Sequence, residues 1–130
     1  MLRTVRLPFE EADRRVREEL KQEGFGILTE IDVAATLKEK LGVEFTAYKI
    51  LGACNPPLAH QALQSEPDIG LLLPCNVVVR SLPGTAGETV VEILDPVVQF
   101  ELSGNERLRY LAEEARSRLE RALSRLATQG

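Results

Sequence analysis

The sequence predicts a two-layer α/β sandwich of the α+β class, and three patterns in its 130 residues carry that expectation. Apolar residues recur every three or four positions near both ends of the chain, the mark of amphipathic helices with one buried stripe. Between them lie short apolar stretches bounded by Gly, Pro, Asn and Asp, the mark of strands. Helices alternate with strands first and a hairpin comes after them, an order that packs helices onto a sheet of about five strands. A chain of this length buries roughly two thirds of its unfolded surface, so residues 1–130 are expected to form a single domain.

Leu2 to Leu7 reads as an opening strand that Pro8 stops, since proline suits the first turn of a helix. Phe9, Ala12, Val16 and Leu20 then form an apolar stripe, with Glu11–Arg15, Asp13–Arg17 and Arg14–Glu18 pairs around it. Gly24 supplies a left-handed exit, and Phe25, Ile27, Thr29 and Ile31 alternate as a strand. Asp32 is placed to cap a short helix with the buried stripe Val33, Leu37 and Leu41, ended by Gly42. Val43 to Leu51 reads as another strand, and because neither of its faces is purely polar, both are expected to be at least partly covered.

Asn55 is a preferred N-cap and Pro56 suits the first helical position, so a helix carrying Leu58, Ala59, Ala62 and Leu63 is expected next. Pro67 to Gly70 turns the chain into Leu71 to Val79, an apolar strand in which Pro74 implies an edge or a bulge. Val77–Leu82 and Thr89–Leu94 read as a hairpin about the loop Pro83 to Gly87. Asp95-Pro96 caps a short helical turn and Ser103-Gly104 breaks it. Asn105 caps a last helix in which Leu108, Leu111, Ala115, Leu119, Ala122 and Leu126 keep a 3.6-residue rhythm.

The net charge of −4 repels a phosphate backbone or an anionic lipid surface, so neither nucleic acid nor membrane is expected as a partner. The arginine clusters at 14–17 and 116–125 are interleaved with glutamates at helical spacing and read as solvated, ion-paired faces. No basic leader with an apolar stretch opens the sequence, and no segment approaches about 18 uninterrupted apolar residues, which points to a cytoplasmic protein. With two cysteines only, free thiols are the default in that reducing compartment.

Gly24 to Leu28, Glu30 to Val33, Ile50 to Pro56, Leu58-Ala59 and Gly70 to Val77, taken together, resemble the family known as domain of unknown function 302 over essentially the whole chain. Cys54-Asn55-Pro56 and Leu73-Pro74-Cys75 are the more specific of these blocks. The resemblance implies a curved sheet with helices on one face, like a single repeat of the TATA-binding protein, and it implies no activity. Shared architecture carries no inference of DNA binding.

Cys54, His60 and Cys75 form the sharpest chemical constellation. Cys54 precedes a capped helix N-terminus, whose partial positive charge is expected to lower its pKa. That makes a thiol-dependent redox protein, or a zinc or other transition-metal site on Cys54, His60 and Cys75, the alternative to a pair of small buried residues. Asn55 and the amides after it are a possible anion site, against plain capping. Glu30 and Asp32 share one side of a strand as a carboxylate pair, although Asp32 is explained as a cap. Gly84 to Gly87 lacks the ending of a phosphate loop, and no hydrolase or metalloprotease signature occurs. The leading expectation is therefore a non-catalytic module, homo-oligomeric, that binds a small ligand or anion near Cys54, Asn55 and Cys75 and needs no cofactor. A second sheet face that must be covered is the ground for a dimer.

Overall fold

The computed structural model describes residues 1–85 and 87–129, and the side chains of these as far as Leu126. Five strands form one antiparallel sheet: β1 (Leu2–Val5), β2 (Gly26–Asp32), β3 (Tyr48–Cys54), β4 (Cys75–Ser81) and β5 (Thr89–Ile93), in the order β1-β5-β4-β3-β2. Five helices accompany it: α1 (Phe9–Gln22), α2 (Val33–Leu41), α3 (Pro56–Ser65), α4 (Pro96–Glu101) and α5 (Arg109–Gln129). This is the expected α+β sandwich.

The core lies between one sheet face and the pair α1 and α5. Alternate strand residues Val5, Leu51, Ala53, Val77, Val79, Val91 and Ile93 point into it and meet Ala12, Val16 and Leu20 of α1. The α5 stripe anticipated from its rhythm, Leu111, Ala115, Leu119, Ala122 and Leu126, is buried throughout. Arg125 of α5 spans to α1, bonding Glu19 Oε2 at 2.5 Å and Glu23 Oε2 at 2.7 Å. A second cluster, Ala62, Ile69, Phe100, Leu108, Leu111 and Ala112, ties α3 and α4 to the start of α5.

The opposite sheet face carries one row in register across all five strands, Ile31, Ile50, Val78, Glu92 and Leu2. Ile31 and Leu2 are half exposed.

Several segments depart from the sequence reading. The register shifts between Ile27 and Thr29, so Ile27 faces the core opposite Ala53 while Thr29 and Ile31 face the other way, opposite Gly52 and Ile50. One extra residue in a strand moves the residues beyond it to the other face, which a simple alternation does not anticipate. The stripe expected on α2 is not buried: no residue of that helix is, and Leu41 is 68% exposed. Asp32 still caps it, accepting from the Ala35 amide at 2.9 Å.

The strand expected over 43–51 begins only at Tyr48, with Val43 and Phe45 exposed in irregular chain before it. Leu71 and Leu72 belong to a 3-10 turn, Pro67–Leu72, and β4 starts at Cys75. Pro74 therefore precedes its strand, and β4 is central, not an edge. A proline outside the ladder leaves no backbone bond missing, so neither edge nor bulge is required. The hairpin of β4 and β5 forms as expected, though Ala86 in its loop lies outside the described residues.

Candidate functional site

Two glycines and one asparagine shape the end of the sheet where β3 stops. Asn55 comes directly after Cys54 and caps α3: its Oδ1 accepts the Leu58 amide at 3.3 Å, and its Nδ2 donates to the Glu23 carbonyl at 3.4 Å. The side chain thus fastens α3 to the turn after α1. Gly24 has φ +85°, and a Cβ there would stand 3.0 Å from Asn55 Nδ2, so this turn favours glycine on both conformation and space. At Gly52 a Cβ would collide with Thr29 Oγ1 and come within 2.7 Å of Pro74 Cγ. Its absence lets the bulged β2 and the Leu73-Pro74 segment close over β3.

These segments enclose a pocket of about 280 Å³. Ala53, Cys54, Asn55 and Cys75 line it from the strand ends, and Phe25, Leu28 and Thr29 from the chain on the β2 side. Leu58, Ala59 and Leu63 of α3 form one wall, with Leu73 and Pro74 beside Cys75 and with Phe100, Leu111 and Ala115 behind. Leu28 and Leu63, both exposed, stand at its mouth. The structure brings together three of the residues the sequence singled out, Cys54, Asn55 and Cys75, and adds an apolar envelope drawn partly from the other family blocks and partly from Leu63, Phe100, Leu111 and Ala115 outside them. Phe100 and Leu111 are separated in sequence from the Cys-Asn-Pro block and join it only through tertiary packing. Leu63, an exposed apolar residue on a short helix, is the one envelope residue that stands out locally.

The electrostatics oppose reactive thiols. Burial raises the Cys54 pKa above the ordinary thiol value, the reverse of the lowering expected from the helix end. Burial, with the nearby Cys54 adding to it, pushes Cys75 up to about 11. Both thiols are free, and desolvation keeps them protonated at neutral pH. The helix dipole is weak here because α3 is short and starts with two prolines, Pro56 and Pro57, which carry no amide protons.

The same prolines close the expected anion site. The first two amides of α3 that exist are spent, Leu58 on Asn55 Oδ1 and Ala59 on the Asn55 carbonyl at 2.9 Å. His60 is exposed on α3 and does not line the pocket, so Cys54, His60 and Cys75 do not converge. Among the described residues, no group of three or more His, Cys, Asp or Glu side chains is arranged to hold a metal ion.

The remaining acidic candidates have structural partners. Glu30 bonds Lys49 at 2.8 Å and Arg17 at 3.0 Å, and the Lys49 bond leads in lowering its pKa. Glu30 and Asp32 are therefore a brace and a helix cap.

Comparison with known proteins agrees with this fold. The sequence pattern of the family described as "Domain of unknown function DUF302" matches residues 1–126. The crystal structure of an uncharacterized conserved DUF302 protein from Bacillus stearothermophilus is 32% identical, with a TM-score of 0.88, over 97% of this chain and 96% of that one. No curated protein matches the sequence.

Proposed function

The chain belongs to the DUF302 family, and from that premise we propose that it is a non-catalytic module that binds a small molecule in the pocket beside Cys54, Asn55 and Cys75. One observation carries the reading: four separate sequence blocks on which the family resemblance rests, around Phe25, Cys54-Asn55, Leu58-Ala59 and Leu73-Pro74-Cys75, all line one pocket. A concave, mostly apolar site with few polar groups is what small ligands use. Raised thiol pKa values speak against the redox alternative, because the thiolate is the nucleophile, and the position of His60 outside the pocket speaks against a metal on Cys54, His60 and Cys75. No cofactor is required for such a role.

Xenon tests the pocket without presuming a ligand. Saturable 129Xe shifts in solution are expected, and Ala59→Phe, which takes up part of the space, should weaken them. If wild-type protein and the filled variant respond to xenon alike, this reading is wrong.

A dimer belongs to the same proposal, because Ile31, Ile50 and Val78, with Leu2 beyond the ion-paired Glu92, offer an apolar strip on the face away from α1 and α5. Light scattering at micromolar concentration should give twice the mass of one chain, and Val78→Glu should halve it. A monomer mass for the unaltered protein would remove the dimer and leave the pocket untouched. Among the described residues no helix is long and apolar enough to cross a membrane. A cytoplasmic site of action, apart from nucleic acid and membrane, fits the net charge of −4.

A further inference from the structure

Resting on that pocket reading, we infer that the ligand is uncharged and apolar, of about the size of a fused two-ring aromatic. Size comes first. The pocket holds about 280 Å³, against the roughly 150 Å³ of an apolar cavity known to take benzene. Its rigid walls include Phe25 and Phe100, which favour stacking or edge contact with a flat ring.

Charge is decided by what the lining lacks. An ionised head group carried into an apolar site costs several kcal/mol unless it is paired. Among the described residues, no Lys, Arg or His lines this pocket. The amides that usually greet an anion at a helix start are missing at Pro56 and Pro57 and spent at Leu58 and Ala59. Asn55 has its oxygen on the Leu58 amide and one amide hydrogen on the Glu23 carbonyl, so it has a single neutral N–H left to offer. Arg118 is the cation to consider, since its Nη1 lies 3.6 Å from the point where a Gly24 Cβ would stand. It does not line the pocket, and its Nε bonds Glu114 at 2.8 Å. Nor does a cationic ligand find a partner: among the described residues no Asp or Glu lines the walls. Thr29 and the two thiols are left as weak, neutral polar contacts.

Matched probes separate this inference from the reading beneath it. Naphthalene and 2-naphthoate share a ring system and differ by one carboxylate. Titrating each into the full chain while monitoring the backbone amides of Ala53, Ala59 and Leu111 by NMR should show naphthalene binding at least tenfold more tightly. Ala59→Phe should lose that binding, whereas His60→Ala, outside the pocket, should keep it. Should the filled variant not fold, protection of Cys54 from alkylation by naphthalene in the unaltered protein reports the same occupancy. Equal or tighter binding of 2-naphthoate at these amides overturns the inference and leaves the pocket reading standing. If xenon binds but neither naphthalene probe moves these amides, the size assigned to the ligand is wrong. If xenon fails as well, the pocket reading itself has failed.

Discussion

The sheet covers two interiors, and they are packed in opposite ways. Under α1 and α5, Leu20, Leu51, Val77, Leu119 and Leu126 leave essentially no surface to solvent. At the β3 end, under α3, a comparable set of apolar side chains surrounds about 280 Å³ of space that they do not fill. Protein interiors are normally close-packed, and voids larger than a water molecule are few. The filled half supplies stability, and on the proposed reading the hollow half is shaped by a ligand. Four substitutions and one pH titration would sharpen or break that contrast.

Leu119→Ala should show the largest effect, a loss of about 2–5 kcal/mol in denaturant unfolding, because a fully buried side chain leaves a cavity among neighbours that cannot collapse. A loss below about 1 kcal/mol would mean that the α5 side is not the filled one. Gly52→Ala should cost about 3 kcal/mol, since the new methyl meets Thr29 Oγ1 and the stiff Pro74 ring at the edge of the hollow. The same melting series tests it, and a neutral result would mean that the two segments over β3 yield easily.

Alkaline pH probes the hollow side by linkage. The folded Cys75 thiol titrates at about 11, above the roughly 8.5 of an unfolded cysteine. The unfolded chain therefore loses its proton first as pH rises. Stability from this group is complete below about pH 8.5 and is lost as pH climbs towards 11, amounting to about 3 kcal/mol at most. Cys75→Ala should flatten that part of the stability–pH curve. An unchanged slope would assign the alkaline loss to other groups.

The smallest expected effect has the opposite sign. Ala59→Phe takes up part of the hollow and should raise stability by about 1 kcal/mol, as cavity-filling changes commonly do. A clear loss would show that the pocket is too constrained to take a ring.

The same division separates the parts of the molecule that are legible in the sequence from those that are not. In α5 the period of the apolar residues and the burial of Leu111, Leu119 and Leu126 are legible, because one long helix on one face repeats its signal over several turns, whereas Asn105 caps the 3-10 turn Glu106–Leu108 that leads into it and not α5 itself. Asn55 is legible as a cap for a local reason, the Asn-Pro pair. On the β2 side the alternation misleads: the shift after Ile27, the half-burial of Leu37 and the exposure of Leu41 depend on how β2 and α2 meet β3. The site is legible as a place and not as a chemistry. Cys54, Asn55 and Cys75 do meet, but the raised pKa of Cys54 comes from burial, which no spacing along the chain encodes.

The claim that this site binds and does not react is tested most directly by the pH dependence of Cys54 alkylation in the folded protein. With its pKa raised by burial, Cys54 should react at pH 7 more slowly than a free cysteine peptide, and its rate should still be rising above about pH 8.5. The Cys54→Ser variant identifies which thiol is labelled. A rate for Cys54 that has already levelled off by pH 7 would mean a stable thiolate at neutral pH, and would contradict the account in favour of thiol chemistry.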